Sequence, residues 1–279
     1  FWSYQVLTVK PKFHQTAADK AGSYFPKKFK NFTKSSAVQN ICYIFALIIR
    51  TPTHGMRVKI HHEGTNILLV IAAIIIVVNV PLWLWVRPIG WPITSTVAWG
   101  VVFLLAMNFF RSPRRHFEGD PKNAVVASAD GTVVALEEVY EPEYLKTRCI
   151  QLSVFMSIFN VHANWFPVDG EVIYATHHPG RFMAAYLPKS STENERSTVV
   201  IRTTGGQLVL VRQIAGAVAR RIVTYAEKGT DANIADHMGF IKFGSRVDIY
   251  LPLGTETFVN IGDTTTGGIT LVGRLKPQT

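Results

Sequence analysis

Two long apolar stretches, at residues 67–85 and 93–110, carry no charged side chain. Each is long enough for a helix to cross the hydrocarbon core of a bilayer. Between them lies the short segment 86–92. Trp83, Trp85 and Trp91 lie in or beside it, where amphipathic rings favour a membrane–water interface. The pattern therefore predicts a transmembrane hairpin of two helices rather than a pair of buried core helices.

After residue 123 the pattern changes to short β-branched runs separated by glycine and proline, which is typical of strands and turns. A hairpin is predicted around the Asp130-Gly131 turn, and one helix at residues 215–226. The other predicted strands are residues 149–155, 170–175, 198–203, 207–213 and, as one or two strands, 240–253. The predicted fold class is a β-rich α+β domain preceded by a two-helix transmembrane hairpin.

The net charge of +10 is concentrated at the start of the chain. Residues 1–55 contain eight basic residues and one acidic residue, Asp19, and so supply +7 of it. This segment lacks a groove-reading or stacking motif, so we expect no nucleic-acid partner. The first methionine is Met56. We interpret residues 1–55 as a leader of doubtful status, either disordered or not native, and leave them out of the fold prediction.

Basic residues flank the apolar stretches unevenly. Arg87 is alone in the connecting segment, whereas five basic residues lie outside the hairpin: Arg57, Lys59, Arg111, Arg114 and Arg115. By the positive-inside rule, both ends of the hairpin and the domain that follows face the cytoplasm, as for a protein of the cell (inner) membrane. The same arginines are candidates for binding anionic lipid head groups.

The sequence contains only two cysteines, Cys42 and Cys149. They show no paired spacing with each other or with histidine, so neither a disulfide framework nor a zinc site is predicted. The His177-His178 pair has no carboxylate at ligand spacing. We therefore predict no metal site.

Three polar residues in the β-rich region are candidates for chemistry. Asp130 lies in a tight turn, His162 lies among apolar residues, and Ser245 follows Gly244 inside the apolar stretch 240–253. Each has an ordinary structural explanation taken alone: a turn aspartate, a core histidine and a strand bend. A histidine oriented by a carboxylate would suit activation of a serine hydroxyl. The sequence alone does not show that the three meet.

Three motifs and the membrane hairpin together resemble the phosphatidylserine decarboxylase proenzymes, of the short bacterial kind that carries its own anchor. The motifs are Ala-Ser-Ala-Asp-Gly at 127–131, Phe-Met-Ser-Ile-Phe-Asn-Val-His-Ala-Asn-Trp at 155–165, and Lys-Phe-Gly-Ser-Arg-Val-Asp at 242–248. The resemblance covers about residues 115–275. It implies that residues 56–115 form the anchor and residues 116–279 the catalytic domain.

The resemblance also implies roles for the candidate residues. Asp130, His162 and Ser245 would form the maturation site, where the chain cuts itself between Gly244 and Ser245. The cut would give a β chain ending at 244 and an α chain of residues 245–279 whose first residue is a pyruvoyl group. That group would form a Schiff base with phosphatidylserine in the membrane and release carbon dioxide, leaving phosphatidylethanolamine.

The chemistry of such a reaction agrees with a cofactor made from the chain. Decarboxylation of an amino acid requires an electron sink that no unmodified side chain supplies. Pyridoxal phosphate is the common solution, but the sequence shows no glycine-rich loop for its phosphate. Longer family members carry a second histidine where this chain has Trp165. We therefore hypothesise that His162 serves both maturation and the later proton transfer.

Two other functions are compatible with the residues. One is a membrane-tethered serine hydrolase using Ser245, His162 and Asp130, although the serine lacks a G-x-S-x-G elbow. The other is a non-enzymatic lipid-binding scaffold of the same fold. Head-group and acyl-chain specificity are left open, and so is the oligomeric state, with a homo-oligomer among the alternatives.

Overall fold

A computed structural model of the chain describes residues 58–181, 183, 190–216, 221–242 and 245–277. These residues belong to one compact unit, Gly55–Thr279. The predicted leader and Gly244 of the predicted cleavage site lie outside the described residues.

The described residues form three helices and a large number of mostly short strands. The helices are α1 (His62–Trp85), α2 (Gly90–Phe109) and α3 (Ser190–Glu193). The strands are β1 (Val58–Ile60), β2 (Arg111–Pro113), β3 (Ala124–Val126), β4 (Gly131–Glu141), β5 (Thr147–Met156), β6 (Ala163–Trp165), β7 (Gly170–His178), β8 (Arg196–Thr203), β9 (Leu208–Ala215), β10 (Arg221–Thr224), β11 (Asp231–Ala232), β12 (His237–Lys242), β13 (Ser245–Pro252), β14 (Glu256–Thr257), β15 (Thr264–Thr265) and β16 (Leu271–Arg274).

Helices α1 and α2 contain the two apolar stretches that the sequence predicts. Both are long and apolar enough to cross a membrane, and very little of either is buried within the protein. A soluble core helix would bury its apolar side chains. Polar contacts join the two helices, because Thr96 Oγ1 donates to Asn79 Oδ1 at 3.1 Å and accepts from Trp83 Nε1 at 3.1 Å.

The two helices connect to the rest of the protein through a short antiparallel ribbon. Strand β1 before α1 pairs with β2 after α2. The backbone N–H of His61 donates to the Phe110 carbonyl at 2.8 Å. Gly64 lies against Phe110, and a Cβ at this glycine would come within 2.4 Å of that ring. Phe109 and Phe110 also share a hydrophobic cluster with Trp165 and Phe240, so the base of the helices is packed onto the β-rich domain.

An antiparallel sheet of eight strands forms the centre of the domain, in the order β11-β7-β8-β9-β13-β5-β4-β15. Strand β13 lies between β5 and β9, and every residue from 245 to 251 is buried. Because side chains alternate along a strand, Ser245 shares its face with Val247 and Ile249, which belong to the main hydrophobic core. The opposite face carries Arg246 and Asp248.

Several predicted strands are confirmed and two local predictions are wrong. The stretch 240–253 is divided between β12 and β13, and the other four single-strand predictions fall within or nearly within β5, β7, β8 and β9. The hairpin predicted around Asp130 does not form, because β3 pairs with β16 whereas β4 pairs with β5 and β15. Strands β15 and β16, both distant in the chain, pair with backbone groups that the predicted hairpin would have used.

The helix predicted at residues 215–226 is also wrong where the structure describes that segment. Ala215 ends β9, and residues 221–224 form β10, which pairs with β12. Residues 217–220 lie outside the described residues. The β-branched Ile222 and Val223 suit a strand once a partner strand is beside them, although small residues before them had favoured a helix.

Candidate functional site

Ser245 is the first residue of β13 and is fully buried. It lies opposite Met156 of β5 and Ala215 of β9 in the sheet register. Its hydroxyl donates to the Met156 sulfur at 3.2 Å. A thioether is a weak acceptor, so this contact holds the hydroxyl in place without making it a stronger nucleophile.

His162 lies between β5 and β6, and its ring is also fully buried. Its Nδ1 is 3.0 Å from the Asn160 carbonyl oxygen. Since a carbonyl only accepts, Nδ1 carries the proton and Nε2 is the free base. Among the described residues Nε2 has no hydrogen-bond partner. The ring of Phe109, the last residue of α2, contacts the imidazole with ring centres 4.1 Å apart.

The electrostatic environment keeps this imidazole neutral. Burial is the largest cause and lowers the pKa of His162 to about 4; the Arg111 charge acts in the same direction, against the Asn160 carbonyl and the Asp130 charge. At neutral pH the ring is a base that already lacks its second proton.

The segment from Met156 to His162 contacts both sides of the predicted cleavage site. Met156 lies opposite Ser245, directly after the scissile bond. The His162 carbonyl accepts from the Ile241 N–H at 3.1 Å, three residues before Gly244. The structure therefore brings His162 and Ser245 to the same region of the fold, at the ends of β12 and β13.

Asp130 makes its described hydrogen bonds elsewhere. The Arg115 guanidinium donates to both carboxylate oxygens, and the Gly267 N–H donates at 2.9 Å. His162 in turn is oriented by a backbone carbonyl. The expected orientation of the histidine by this carboxylate is therefore not seen among the described contacts, although the Asp130 charge does act on the imidazole.

Arg115 is the residue whose position the sequence analysis missed. The sequence makes it a candidate for lipid binding with the other arginines, but its side chain is almost fully buried. The guanidinium lies 4.1 Å from the centre of the Trp165 ring while it binds Asp130. Trp165 therefore serves as a platform for an arginine, and its indole cannot replace the proton transfer of a histidine. The Asp-Gly turn alone gave no signal of this distant partner.

A hydrogen-bonded network of buried side-chain amides lies next to Met156, the residue that contacts the Ser245 hydroxyl. The sequence did not predict this network. Asn164 Nδ2 donates to the Met156 sulfur at 3.6 Å, and Gln213 Nε2 donates to Asn164 Oδ1 at 2.8 Å. Ser197 and Thr224 both donate to Gln213 Oε1. This network fixes the position of Met156, and through it the Ser245 hydroxyl.

The part of the chain that the structure describes contains no group of three or more histidine, cysteine or acidic side chains placed to hold a metal ion. The candidate residues described above comprise a buried hydroxyl, a neutral imidazole and an arginine–carboxylate pair.

Comparison with known proteins places this chain in a family. The phosphatidylserine decarboxylase family profile matches residues 102–273. A phosphatidylserine decarboxylase proenzyme of Parabacteroides distasonis is 56% identical over 217 residues, which is 78% of this chain and 99% of the relative. Proenzymes of the same name from Bacteroides thetaiotaomicron (56% identical; 79% of this chain, 96% of the relative) and Amoebophilus asiaticus (41% identical; 79% and 98%) also match.

The β-rich domain and the two helices long enough to cross a membrane, taken with these matches, define a class of decarboxylase proenzymes. The chain belongs to the phosphatidylserine decarboxylase family.

Proposed function

We propose that this protein decarboxylates phosphatidylserine to phosphatidylethanolamine, after cutting itself between Gly244 and Ser245. Membership of the family supports the activity. The observation that carries the site is the contact of the segment from Met156 to His162 with both strands that flank the scissile bond. It supports a role for His162 at Ser245 rather than a purely structural one.

In the proposed maturation, the His162 Nε2 accepts the proton of the Ser245 hydroxyl, whose oxygen attacks the Gly244 carbonyl. The amide becomes an ester as the Ser245 nitrogen leaves the carbonyl carbon and takes up a proton. Loss of the Ser245 α-proton then breaks the ester bond, which frees the Gly244 carboxylate and leaves dehydroalanine. Water replaces its nitrogen, ammonia leaves, and a pyruvoyl group remains at position 245.

The surroundings of residue 245 fit such a group. It would occupy a buried position beside Met156, with the open Nε2 of a neutral imidazole in the same region. A pyruvoyl carbonyl supplies the electron sink that loss of the substrate carboxylate requires. Pairing of β13 with β5 and β9 holds the new chain end in place. We assign His162 the return of a proton to the product carbon, and Asp130 with Arg115 the support of the site.

The anchor supports a substrate in the membrane. We propose that α1 and α2 cross the cell (inner) membrane, with the catalytic domain on the cytoplasmic side. Length, apolar composition and exposure of the two helices favour this placement, as do the basic residues outside the hairpin. In this proposal residues 56–115 form the anchor, residues 116–279 the catalytic domain, and the cut divides that domain into a β chain to 244 and an α chain from 245.

The direct test is intact mass spectrometry of the purified protein with and without a hydrazide reagent. We expect a fragment of the last 35 residues, lighter than the serine form and increased in mass by the reagent. A single uncut chain that reacts with a fluorophosphonate would favour the hydrolase. An uncut chain that reacts with neither reagent would favour the scaffold.

The pH dependence of self-cleavage tests the role of His162. Self-cleavage requires the neutral, basic form of the His162 imidazole. A pKa of about 4 keeps nearly all of the imidazole in that form at neutral pH. We expect a cleavage rate that is constant from about pH 8 to about pH 5.5 and falls only as the pH approaches 4. To measure this rate, the precursor is pulse-labelled during cell-free synthesis into nanodiscs. It is then transferred to buffers of different pH, and its cleavage is followed. A decline centred near the usual histidine pKa of about 6.5 would contradict the buried base.

A further inference from the structure

A rigid turn with an apolar tip lies at the base of the membrane helices. The turn consists of residues 157–160, directly after β5, and the Asn160 N–H donates to the Ser157 carbonyl at 3.0 Å. The Asn160 side-chain oxygen accepts from the Ser157 N–H and hydroxyl, at 2.9 and 2.6 Å. The two residues at its tip are Ile158 and Phe159, which are 55% and 56% exposed. Turn tips usually carry glycine, proline or small polar residues, so two large exposed apolar side chains need a partner.

The position of the turn indicates what that partner is. Arg111, two residues after the end of α2, donates from Nη2 to the Phe159 carbonyl oxygen at 3.0 Å. The same guanidinium donates from Nη1 to the Asn108 carbonyl oxygen in the last turn of α2 at 2.9 Å. The tip is thus tied to the point where the second helix leaves its apolar stretch.

We propose that Ile158 and Phe159 insert into the lipid interface of the membrane that holds α1 and α2. This proposal rests on the proposed membrane anchor. The turn then acts as a third membrane contact of the protein. It leads directly to His162, two residues after Asn160, so the lipid surface meets the site at this turn. Continuity with the anchor favours lipid over a second copy of the chain, since the contacts of Arg111 fix the tip beside α2.

Fluorescent labels at single cysteines test the insertion. The full chain carries Cys42→Ser to remove one thiol, and Ser245→Ala to remove self-cleavage. Cys149 is buried, and burial raises the pKa of its thiol to about 11, so it should not be labelled. An environment-sensitive nitrobenzoxadiazole label is attached at Phe159→Cys in vesicles of phosphatidylcholine and phosphatidylserine. We expect blue-shifted emission, and quenching by lipids with a quencher near the head group that exceeds quenching by lipids labelled deep in the chains.

Two matched positions provide the controls. Tyr140 is 61% exposed and lies opposite Arg148, at the far end of the β4–β5 hairpin and about 25 Å along β5 from the turn. A label at Tyr140→Cys should show solvent-like emission and several times less quenching. Val77 is 71% exposed in the middle of α1, and a label at Val77→Cys should be quenched most by the deep quencher.

Each outcome decides the proposal. If position 159 behaves like position 140 while position 77 is quenched, the anchor stands and the insertion is wrong. A blue shift at 159 without quenching by either lipid would mean that protein covers the tip, and would overturn the proposal in favour of a second copy of the chain. If position 77 is not quenched either, the anchor fails together with the insertion. Because the labelled chains are uncut, none of these results depends on decarboxylase activity.

Discussion

His162→Ala is expected to leave the chain uncut and without decarboxylase activity. The substitution removes the proposed base for the Ser245 proton, and among the described side chains the Met156 sulfur is the only hydrogen-bond partner of the hydroxyl. General-base catalysis contributes about 10²- to 10⁴-fold, so the cleavage rate should fall by at least that range. A time course of precursor and fragments on gels, with intact mass spectrometry, measures the rate.

His177→Ala is the matched control for this experiment, because the His177 side chain is half exposed and lies on β7, which β8 and β9 separate from β13. It should cut at the normal rate. A thermal melt of both variants in detergent shows whether they are folded. A folded His162→Ala chain that is cut as fast as the control would mean that another group activates Ser245.

Arg212→Leu is expected to destabilise the domain strongly. Arg212 is buried on the face of the sheet opposite Ser245, where its Nη2 donates to Glu141 Oε1 and Glu143 Oε2, each at 2.9 Å. Its Nη1 donates to the Tyr250 hydroxyl at 3.0 Å. Glu141 is fully buried, so the substitution leaves a carboxylate without its cation. Breaking a buried pair in this way costs about 3–5 kcal/mol.

Denaturant unfolding in detergent measures this free energy, with Ser245→Ala in every variant so that one chain unfolds. Arg148→Leu is the matched control, because Arg148 pairs with Glu138 at 3.5 Å and both side chains are exposed. Its cost should not exceed about 1 kcal/mol. Equal costs for the two substitutions would mean that water reaches the Glu141 carboxylate. Adding Glu141→Gln to Arg212→Leu should recover part of the lost stability, since the isolated charge is removed.

The elements that the sequence predicts well are those whose pattern is local. Helices α1 and α2 follow from uninterrupted apolar stretches, and β5, β8 and β9 follow from β-branched runs. The predicted helix boundaries differ by a few residues at the N-terminal ends. The cause in α1 is local, because the His61 side chain accepts from the Glu63 N–H and caps the helix earlier than hydropathy indicates.

The contacts that the sequence does not predict join residues far apart in the chain. The Asp130 carboxylate binds the Gly267 N–H, and the strand before it pairs with β16. Neither partner can be recognised from the residues around position 130. Arg115 presents the same difficulty, because a buried arginine that binds a carboxylate and an arginine at a lipid surface look alike in a sequence. Ser245 and His162 were identified by resemblance, and their buried surroundings required the tertiary structure.

The central position of β13 affects how a cut protein would unfold. After the proposed cut, the strand that begins the short chain would still lie between β5 and β9, so the two chains could not separate without breaking the middle of the sheet. Folding before the cut is a unimolecular event, whereas refolding after it requires two chains to find each other. A protein cut at this position would therefore be protected by the barrier to unfolding, and each molecule would have one opportunity to assemble its fold.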